Sequence, residues 1–459
     1  MPDVVVAARQ QFAFTIMFHY LFPVLTIGLA VLIAVLKTAE LRTGRAEYGA
    51  AARYWAKLFA ITFATGVVTG IPMEFQFGTN WARFSRLAGP VVGQTLFMEG
   101  VFAFFAESSF LGVFLFGEKR VSRRLHWLSS VMLAFGAVAS AYFIVATNAW
   151  MQHPVSYRMV DGRAELESLW GLLTNPYVRW QFPHVISGSM IVAATIMSGI
   201  GAFYLLVRWH ETYGRMFVKV GVTTALIFSL TSLFPTGSLQ GENVARYQPA
   251  KMAAMEGLFE SQERAGVAII GMPDTEKGEL VDAIVVPGVL SWLIYGDFRA
   301  RVTGLNDIPA DEHPPVEIVY YSYHIMAGLG TLFILLFGVS AFLLWRGRLF
   351  QARGVLWMLM LAMPFPYIAN HAGWIVAEVG RQPWVVYGVQ RTAEATSQNV
   401  STGMIYFTLF GFMGLYSLVG VLYLLLFFRI VGQGPEGDRE ATLGPLGTGA
   451  AATGHAGAS

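Results

Sequence analysis

Nine runs of apolar residues, each about 20 residues or longer and so able to cross a bilayer, constrain this chain more than any other feature. They fall near 12–36, 54–77, 94–117, 126–150, 183–207, 217–236, 318–345, 354–378 and 402–429. In hydrocarbon every backbone N–H and C=O must be satisfied within the protein, so such runs read as helices. The expected fold is all-α: a polytopic membrane protein whose residues 1–431 form a bundle of nine transmembrane helices. Composition agrees. Charged residues make up 13% of the chain and mean hydropathy is +0.53, where soluble domains carry about 25% charged residues.

Composition also excludes chemistries. Net charge is +2, which leaves no basic excess for a nucleic-acid partner. There is no cysteine. Disulfides, thiolate metal sites, cysteine-held iron–sulfur clusters and covalent c-type haem are therefore ruled out. Any iron must be held by His, Met, Glu, Asp or Tyr. The first apolar run carries Gln10, Gln11 and His19 without a small-residue cleavage site, and so reads as a membrane helix, not a removable signal.

Loop charge sets the expected orientation. Loops after spans 1, 3, 5 and 7 carry fifteen Lys and Arg, and the short loops after spans 2, 4 and 8 carry seven. The positive-inside rule puts the first set in the cytoplasm, the N-terminus in the periplasm and the C-terminus in the cytoplasm. The long loop, 237–317, then lies outside. It holds 13 acids against 6 Lys or Arg. Its stretch 249–265 reads as amphipathic, with Met252, Met255, Leu258 and Phe259 on one side, and predicts an ordered lid. The Gly- and Ala-rich tail, 432–459, reads as a disordered cytoplasmic segment.

Four residues able to bind iron fall in the outer leaflet on this topology. His19 lies about seven residues, roughly 10 Å, below the outer end of span 1. His184 sits at the outer start of span 5, Met326 about eight residues into span 7, and Glu378 at the outer end of span 8. Taken singly, a membrane His or Met is more often a packing residue, and Glu378 could simply pair with Arg381. Together they point as readily to haem. A His/Met pair suits a six-coordinate electron-transfer haem, while a lone His or carboxylate leaves an iron face open. The stretch 371–384, HAGWIVAEVGRQPW, concentrates the anomaly: each ionisable group at mid-membrane costs roughly 2.5–3.5 kcal/mol. Arg381 and Trp384 would cap the site from the following loop.

Span 3 carries Glu99 and Glu107, about 12 Å apart along a regular helix and about 80° apart around it. Ser108 stands beside Glu107, and Ser140 and Asn148 lie on span 4. Acids in the membrane without a nearby Lys or Arg mark proton relays or hydrogen-bonded interhelical pairs.

These residues resemble subunit I of the cytochrome bd-type quinol oxidases, including the cyanide-insensitive branch with a short Q-loop. The likeness covers nearly the whole chain. It rests on Gln11–Phe12 through His19, MEFQFGTNW (73–81), Glu99 with FFAES (104–108), NAWMQ (148–152), His184 in QFPH, KMAAMEG (251–257), Met326 in HIM and AEVGRQPW (377–384). The resemblance implies a respiratory terminal oxidase that oxidises quinol outside and reduces O2 to water with cytoplasmic protons, without pumping. It implies that His184 and Met326 hold a low-spin haem b (b558-type), and that Glu378 holds a high-spin haem b (b595-type). His19 would hold haem d or a third haem b. Trp374 would lie between the haems, Arg9 and Arg381 would offset propionate charge, and Glu99 and Glu107 would deliver protons. Lys251 and Glu256 would bind and deprotonate ubiquinol or menaquinol in a periplasmic Q-loop. The implied partners are a membrane subunit II and, in some members, a small single-span subunit. The implied location is the bacterial inner membrane.

Two positions depart from the family pattern. His324 stands where an Arg is usual, which weakens the counter-charge and adds a competing ligand beside Met326. His371 stands where many members have an acid. His126 and His153 match no family ligand and read as interfacial. Two other classes remain to be separated: a quinol–haem electron-transfer subunit without oxygen reduction, and a proton-coupled transporter. The absence of an internal repeat weighs against the transporter.

Overall fold

A computed structural model describes residues 3–435. Among them, nine helical segments are long and apolar enough to cross a membrane. They are Val4–Thr43, Ala46–Thr79, Ala82–Phe116, Arg123–Gln152, Val178–Val207, Glu211–Tyr247, Val316–Trp345, Arg353–Val379 and Thr402–Gln433, numbered here helices 1 to 9. The nine expected spans are all present, and the fold is an all-α membrane bundle. Short antiparallel hairpins occur only in connections, such as Tyr157–Val160 with Arg163–Leu166.

Most helices extend beyond their apolar runs, because polar residues continue a helix past the hydrocarbon. Helix 1 begins at Val4, where the Asp3 side chain accepts from the backbone N–H of Val5. His19 therefore lies fifteen residues below that end, about 22 Å rather than 10 Å. Helix 1 is also broken. Its first half ends at Tyr20 and its second starts at Pro23, whose ring removes a donor and crowds the preceding turn. Helix 8 is broken in the same way between Leu361 and Phe365, where Pro364 and Pro366 sit. Within helix 3, residues Glu99–Phe104 form a π-helical segment with i→i+5 bonding. The regular-helix spacing expected between Glu99 and Glu107 therefore does not hold, and such segments often mark functional positions.

The long connection starts later than expected. Ser238–Tyr247 continues helix 6, so the loop proper runs from about 248 to 315. Its first helix is Pro249–Glu256, with every residue from Ala250 to Glu256 buried. This corrects the amphipathic reading of 249–265: the segment is a short helix enclosed on all sides. A hairpin follows, Val267–Asp274 paired with Glu279–Val286, and then the helix Val289–Tyr295. Of the expected tail 432–459, positions 436–459 lie outside the described residues.

Helix 5 is the most enclosed span and packs along helix 6 through glycines. A Cβ on Gly221 would lie 2.6 Å from the Ala194 carbonyl oxygen, and one on Gly201 would lie 2.8 Å from that of Gly214. Overpacking such a contact costs about 1–3 kcal/mol. Gly221→Ala should therefore lower the thermal midpoint of the purified protein, followed by tryptophan fluorescence. Gly93→Ala, whose Cβ meets nothing within 4 Å, should leave it unchanged or raise it slightly.

Candidate haem and quinol site

Helix 4 organises the polar interior. Going along it from the side opposite the long loop, Gly136 lies against the backbone of Glu107, where a Cβ would be 2.8 Å from the Glu107 nitrogen. One turn further, Ser140 donates to Glu99 at 2.8 Å. Thr147 meets Thr95 at 2.6 Å. Asn148 donates to Glu378 at 2.7 Å and accepts from Gln181 at 2.7 Å. Helix 4 ends at Gln152, beneath the long loop. Asn148, grouped in sequence with the acids of helix 3, thus belongs to Glu378. Ser108 returns a bond to its own helix at Phe105 and does not join Glu107.

Gln152 is a junction. Its Nε2 donates to Glu378 Oε1 at 3.1 Å and to the Ala377 carbonyl at 3.2 Å. Its Oε1 accepts from Lys251 Nζ at 2.7 Å and from Gln248 Nε2 at 2.9 Å. Lys251 also donates to the Ala377 carbonyl at 2.9 Å. One fully buried amide therefore joins the loop lysine to the helix 8 acid. Gln152 and Gln181 enter the sequence reading only as parts of NAWMQ and QFPH, without a role of their own, and Gln248, a partner of Gln152, does not enter it. The available signal was the four-residue spacing of Asn148 and Gln152, which puts both on one helix face.

Lys251 and Glu256 are 1% and 4% exposed. Burial, with the like charge of Arg381, holds the Lys251 ammonium well below the ordinary lysine range, against an opposing pull from Glu378. Burial pushes the Glu256 carboxyl up to about 7, although the Tyr323 hydroxyl and the Ala268 N–H face it. Its Oε2 has no hydrogen-bond partner, and neither does the hydroxyl of Tyr320. Gly380 makes room for the lysine: a Cβ there would stand 2.7 Å from Lys251 Cγ.

The candidate iron donors are held in two ways. His19 Nδ1 lies 3.2 Å from Thr69 Oγ1, and His184 Nδ1 lies 3.4 Å from Thr236 Oγ1. Both hydroxyls already donate to backbone carbonyls, so each accepts from its histidine. That fixes the proton on Nδ1 and leaves the Nε2 lone pair for a metal, as second-shell partners of ligating histidines do. A glycine faces His19, His184 and Met326 in turn. Cβ atoms on Gly70, Gly237 and Gly373 would stand 3.0 Å, 3.5 Å and 2.8 Å from the respective ring or sulfur atoms. Glu378 accepts from Asn148, Gln152 and Arg381, which leaves one of a carboxylate's roughly four lone-pair positions. Arg381 is 3% exposed and keeps two buried donors, Nε and Nη1, without partners. Among the described residues no three His, Asp or Glu gather around a common point. Single axial donors, cleared by glycines and backed by an arginine with free N–H groups, fit haem with its anionic propionates.

The remaining candidates divide. Trp374 packs edge-on to Tyr20 at 5.8 Å, next to His19. Trp384 lies in the loop under the Arg391 guanidinium at 5.1 Å. Arg9 is exposed near the start of helix 1, without an ion pair among the described residues. His371 has both ring nitrogens against backbone carbonyls, those of Tyr367 and Met17, at 2.8 Å each, so it ties helix 8 to helix 1. His324 is held likewise, by Tyr320 at 2.8 Å and Ala268 at 2.9 Å. With both nitrogens turned to carbonyl oxygens, His324 does not compete with Met326 for a metal. His126 is buried and bonded to the Phe114 carbonyl. Glu74 was not singled out; it interacts electrostatically with Glu99.

Comparison with known proteins agrees with this architecture. Residues 7–435 match the family described as cytochrome bd terminal oxidase subunit I. The chain is 37% identical over 445 residues to cytochrome bd ubiquinol oxidase subunit 1 of Bacillus subtilis, covering 95% of each chain. It is 31% identical to cytochrome bd-II ubiquinol oxidase subunit 1 of Escherichia coli, covering 95% of this chain and 98% of the relative. The solved bd oxidase of Geobacillus thermodenitrificans superposes with a TM-score of 0.87 at 32% identity, covering 94% of this chain and 99% of the other. The chain therefore belongs to the cytochrome bd terminal oxidase subunit I family. It is a haem-containing subunit of a quinol-oxidising terminal oxidase in a bacterial inner membrane, and the transporter and electron-transfer readings are not favoured.

Gln152→Leu should strip a donor from Glu378 and an acceptor from Lys251 together. Each unsatisfied buried group costs about 1–3 kcal/mol. Thermal unfolding should show the loss, and the quinol KM should rise.

Proposed function

We propose that quinol is oxidised beside Lys251 and Glu256 on the loop side of this chain. Oxygen is reduced to water with protons drawn from the opposite side, so charge is separated without a pump. The observation that carries this reading is the Gln152 junction, which links the loop lysine to Glu378. The lysine and arginine bias of the loops supports assigning the loop side to the periplasm and the C-terminus to the cytoplasm. The loop, about 248–315, then acts as the periplasmic Q-loop.

His184 and Met326 would hold a low-spin haem b, Glu378 a high-spin haem b, and His19 haem d or a third haem b. Arg381, with two free buried donors, is better placed than the exposed Arg9 to meet a propionate. The haem groups, when bound, carry the electrons of quinol to oxygen. The chain's own residues handle binding and protons. Lys251 Nζ, with two of its three N–H groups committed, offers the third to a quinol oxygen. Glu256 Oε2, buried and without a partner among the described residues, would accept one quinol hydroxyl proton; the second would leave to loop-side water, and the two electrons would pass to the haems that the candidate donors would hold. Glu107 and Glu99, with Ser140, supply protons from the other side. A membrane subunit II and a small single-span subunit would complete the oxidase, with ubiquinol or menaquinol as substrate.

Two tests follow. A carboxyl held near pH 7 is protonated below that pH and cannot accept a proton. The kcat/KM for quinol should thus fall as pH drops through about 7. Glu256→Gln should lower kcat/KM by roughly 100-fold, the scale of a lost general base, and abolish that inflection. Glu107→Gln should leave haem reduction by quinol intact and reduce oxygen uptake by a similar roughly 100-fold factor. Unaltered turnover would remove Glu107 from the proton path.

A further inference from the structure

The hairpin Val267–Asp274/Glu279–Val286 runs down the side of helix 7. Its tip, Asp274 to Lys277, shares a surface cleft with Glu317 at the helix's loop-side end. Halfway along, a Cβ on Gly271 would lie 3.0 Å from the Tyr320 hydroxyl. At its base, the Ala268 carbonyl accepts from His324 at 2.9 Å. Contacts at 317, 320 and 324 descend helix 7 by seven residues, about 10 Å.

Depth follows from helix length. Helix 7 has 30 residues and is about 45 Å long, against a hydrocarbon core of about 30 Å. Centred, it overhangs by about 7 Å at each end. His324 is eight residues below Val316, about 12 Å down and thus inside the hydrocarbon. The base of the hairpin reaches the same level.

Polarity along the hairpin follows that depth. The tip carries Asp274, Glu276, Lys277 and Glu279. The base is apolar and exposed: Ile270 is 60% exposed and Ile284 58%, with Ile269, Val285 and Val286 around them. Residues 265–273 and 283–296 carry no charge, and the exposed Arg264 and Asp282 bound these two stretches. The exposed Ile318, Tyr321 and Ile325 of helix 7 lie at the same levels. Past the base, Trp292 stacks on Phe298 at 5.7 Å, and both are exposed together with Tyr295. Aromatics of this kind collect where lipid meets water. Part of the backbone is paired: Ala268 with Val285 and Ile270 with Ile284, with register breaks at Ile269 and Gly271, and His324 takes the Ala268 carbonyl.

We infer that the base of this hairpin and the helix Val289–Tyr295 are seated in the membrane leaflet on the loop side, with Ile269, Ile270, Ile284 and Val285 against lipid acyl chains. The loop is thereby a membrane-inserted element, anchored to helix 7 by His324. Its apolar surface is covered by lipid. This rests on the spanning bundle alone and not on the assignment of Lys251 and Glu256.

The chain has no cysteine, so single labels can be placed cleanly. Ile270→Cys, Ile284→Cys and Lys277→Cys would each be labelled with bimane in the complete oxidase in nanodiscs. The unsubstituted oxidase, carried through the same labelling, gives the background. Nitroxide on the upper acyl chain should quench the labels at 270 and 284 severalfold more than the label at 277, and aqueous iodide should do the reverse. Equal quenching of all three by iodide would place the hairpin in water and overturn the inference. Protection at 270 and 284 from both quenchers would overturn it too, since protein and not lipid would then cover the face. Intact haem spectra show that each labelled oxidase is folded, and 270 and 284 report on opposite strands, so either suffices.

Discussion

Hydrocarbon does not tolerate an unpaired polar group, and helix 4 is where this chain meets that demand. Ser140, Thr147, Asn148 and Gln152 each engage a polar partner on another element. Ser140 and Thr147, seven residues apart, share one face, and Asn148 and Gln152, four apart, share a neighbouring one, so one helix carries a series of hydrogen bonds from Glu99 up to the loop. Burying Lys251, 1% exposed, without that series would leave a charge stranded at a cost of several kcal/mol. With it, the acids of helix 3, the acid of helix 8 and the lysine of the loop are held by one rigid element.

Glycine supplies the complementary constraint. Glycines stand next to three of the four candidate donors, Gly70 by His19, Gly237 by His184 and Gly373 by Met326, and Gly380 stands by Lys251. The last two fall within 371–384, which explains why that stretch reads as it does. Its ionisable residues bond across elements, Glu378 to Asn148 and Gln152 and His371 to Met17, and its glycines admit Met326 and Lys251 from outside the stretch. His371 itself braces, with both ring nitrogens on carbonyls of helices 1 and 8.

The fold was legible because run length and hydropathy depend on the bilayer alone. The nine spans needed no tertiary information. Their ends were less legible, since a helix continues past the hydrocarbon whenever its backbone can pair, as in Val4–Gln11 and Ser238–Tyr247. The π-helical segment Glu99–Phe104 depends on packing against helix 4 and has no local signature. At the site, ionisable residues announced themselves because their membrane cost is high. The uncharged amides that hold them did not. Gln152, Gln181 and Gln248 are common residue types whose importance lies in being buried between charges, which only three-dimensional contact reveals. The enclosed helix Pro249–Glu256 was misread for the same reason: an apolar stripe predicts one buried face and cannot predict that loop segments cover the other.

The nature of the Gln152 side chain bears on how the two halves of the reaction stay apart. Its amide donates to Glu378 from one end and accepts from Lys251 at the other, so a shift of either partner is felt by the other. An amide has no proton that titrates near neutral pH, so it orients charged neighbours without readily passing a proton between them. A carboxylate or imidazole in that position would connect the quinol protons to the oxygen-reducing interior and short-circuit the charge separation. Burial holds the Lys251 ammonium well below the ordinary lysine range, and Glu256, pushed up to about 7, can exchange a proton near neutral pH. On the proposed function, the junction beneath them would couple position while keeping quinol protons on the loop side.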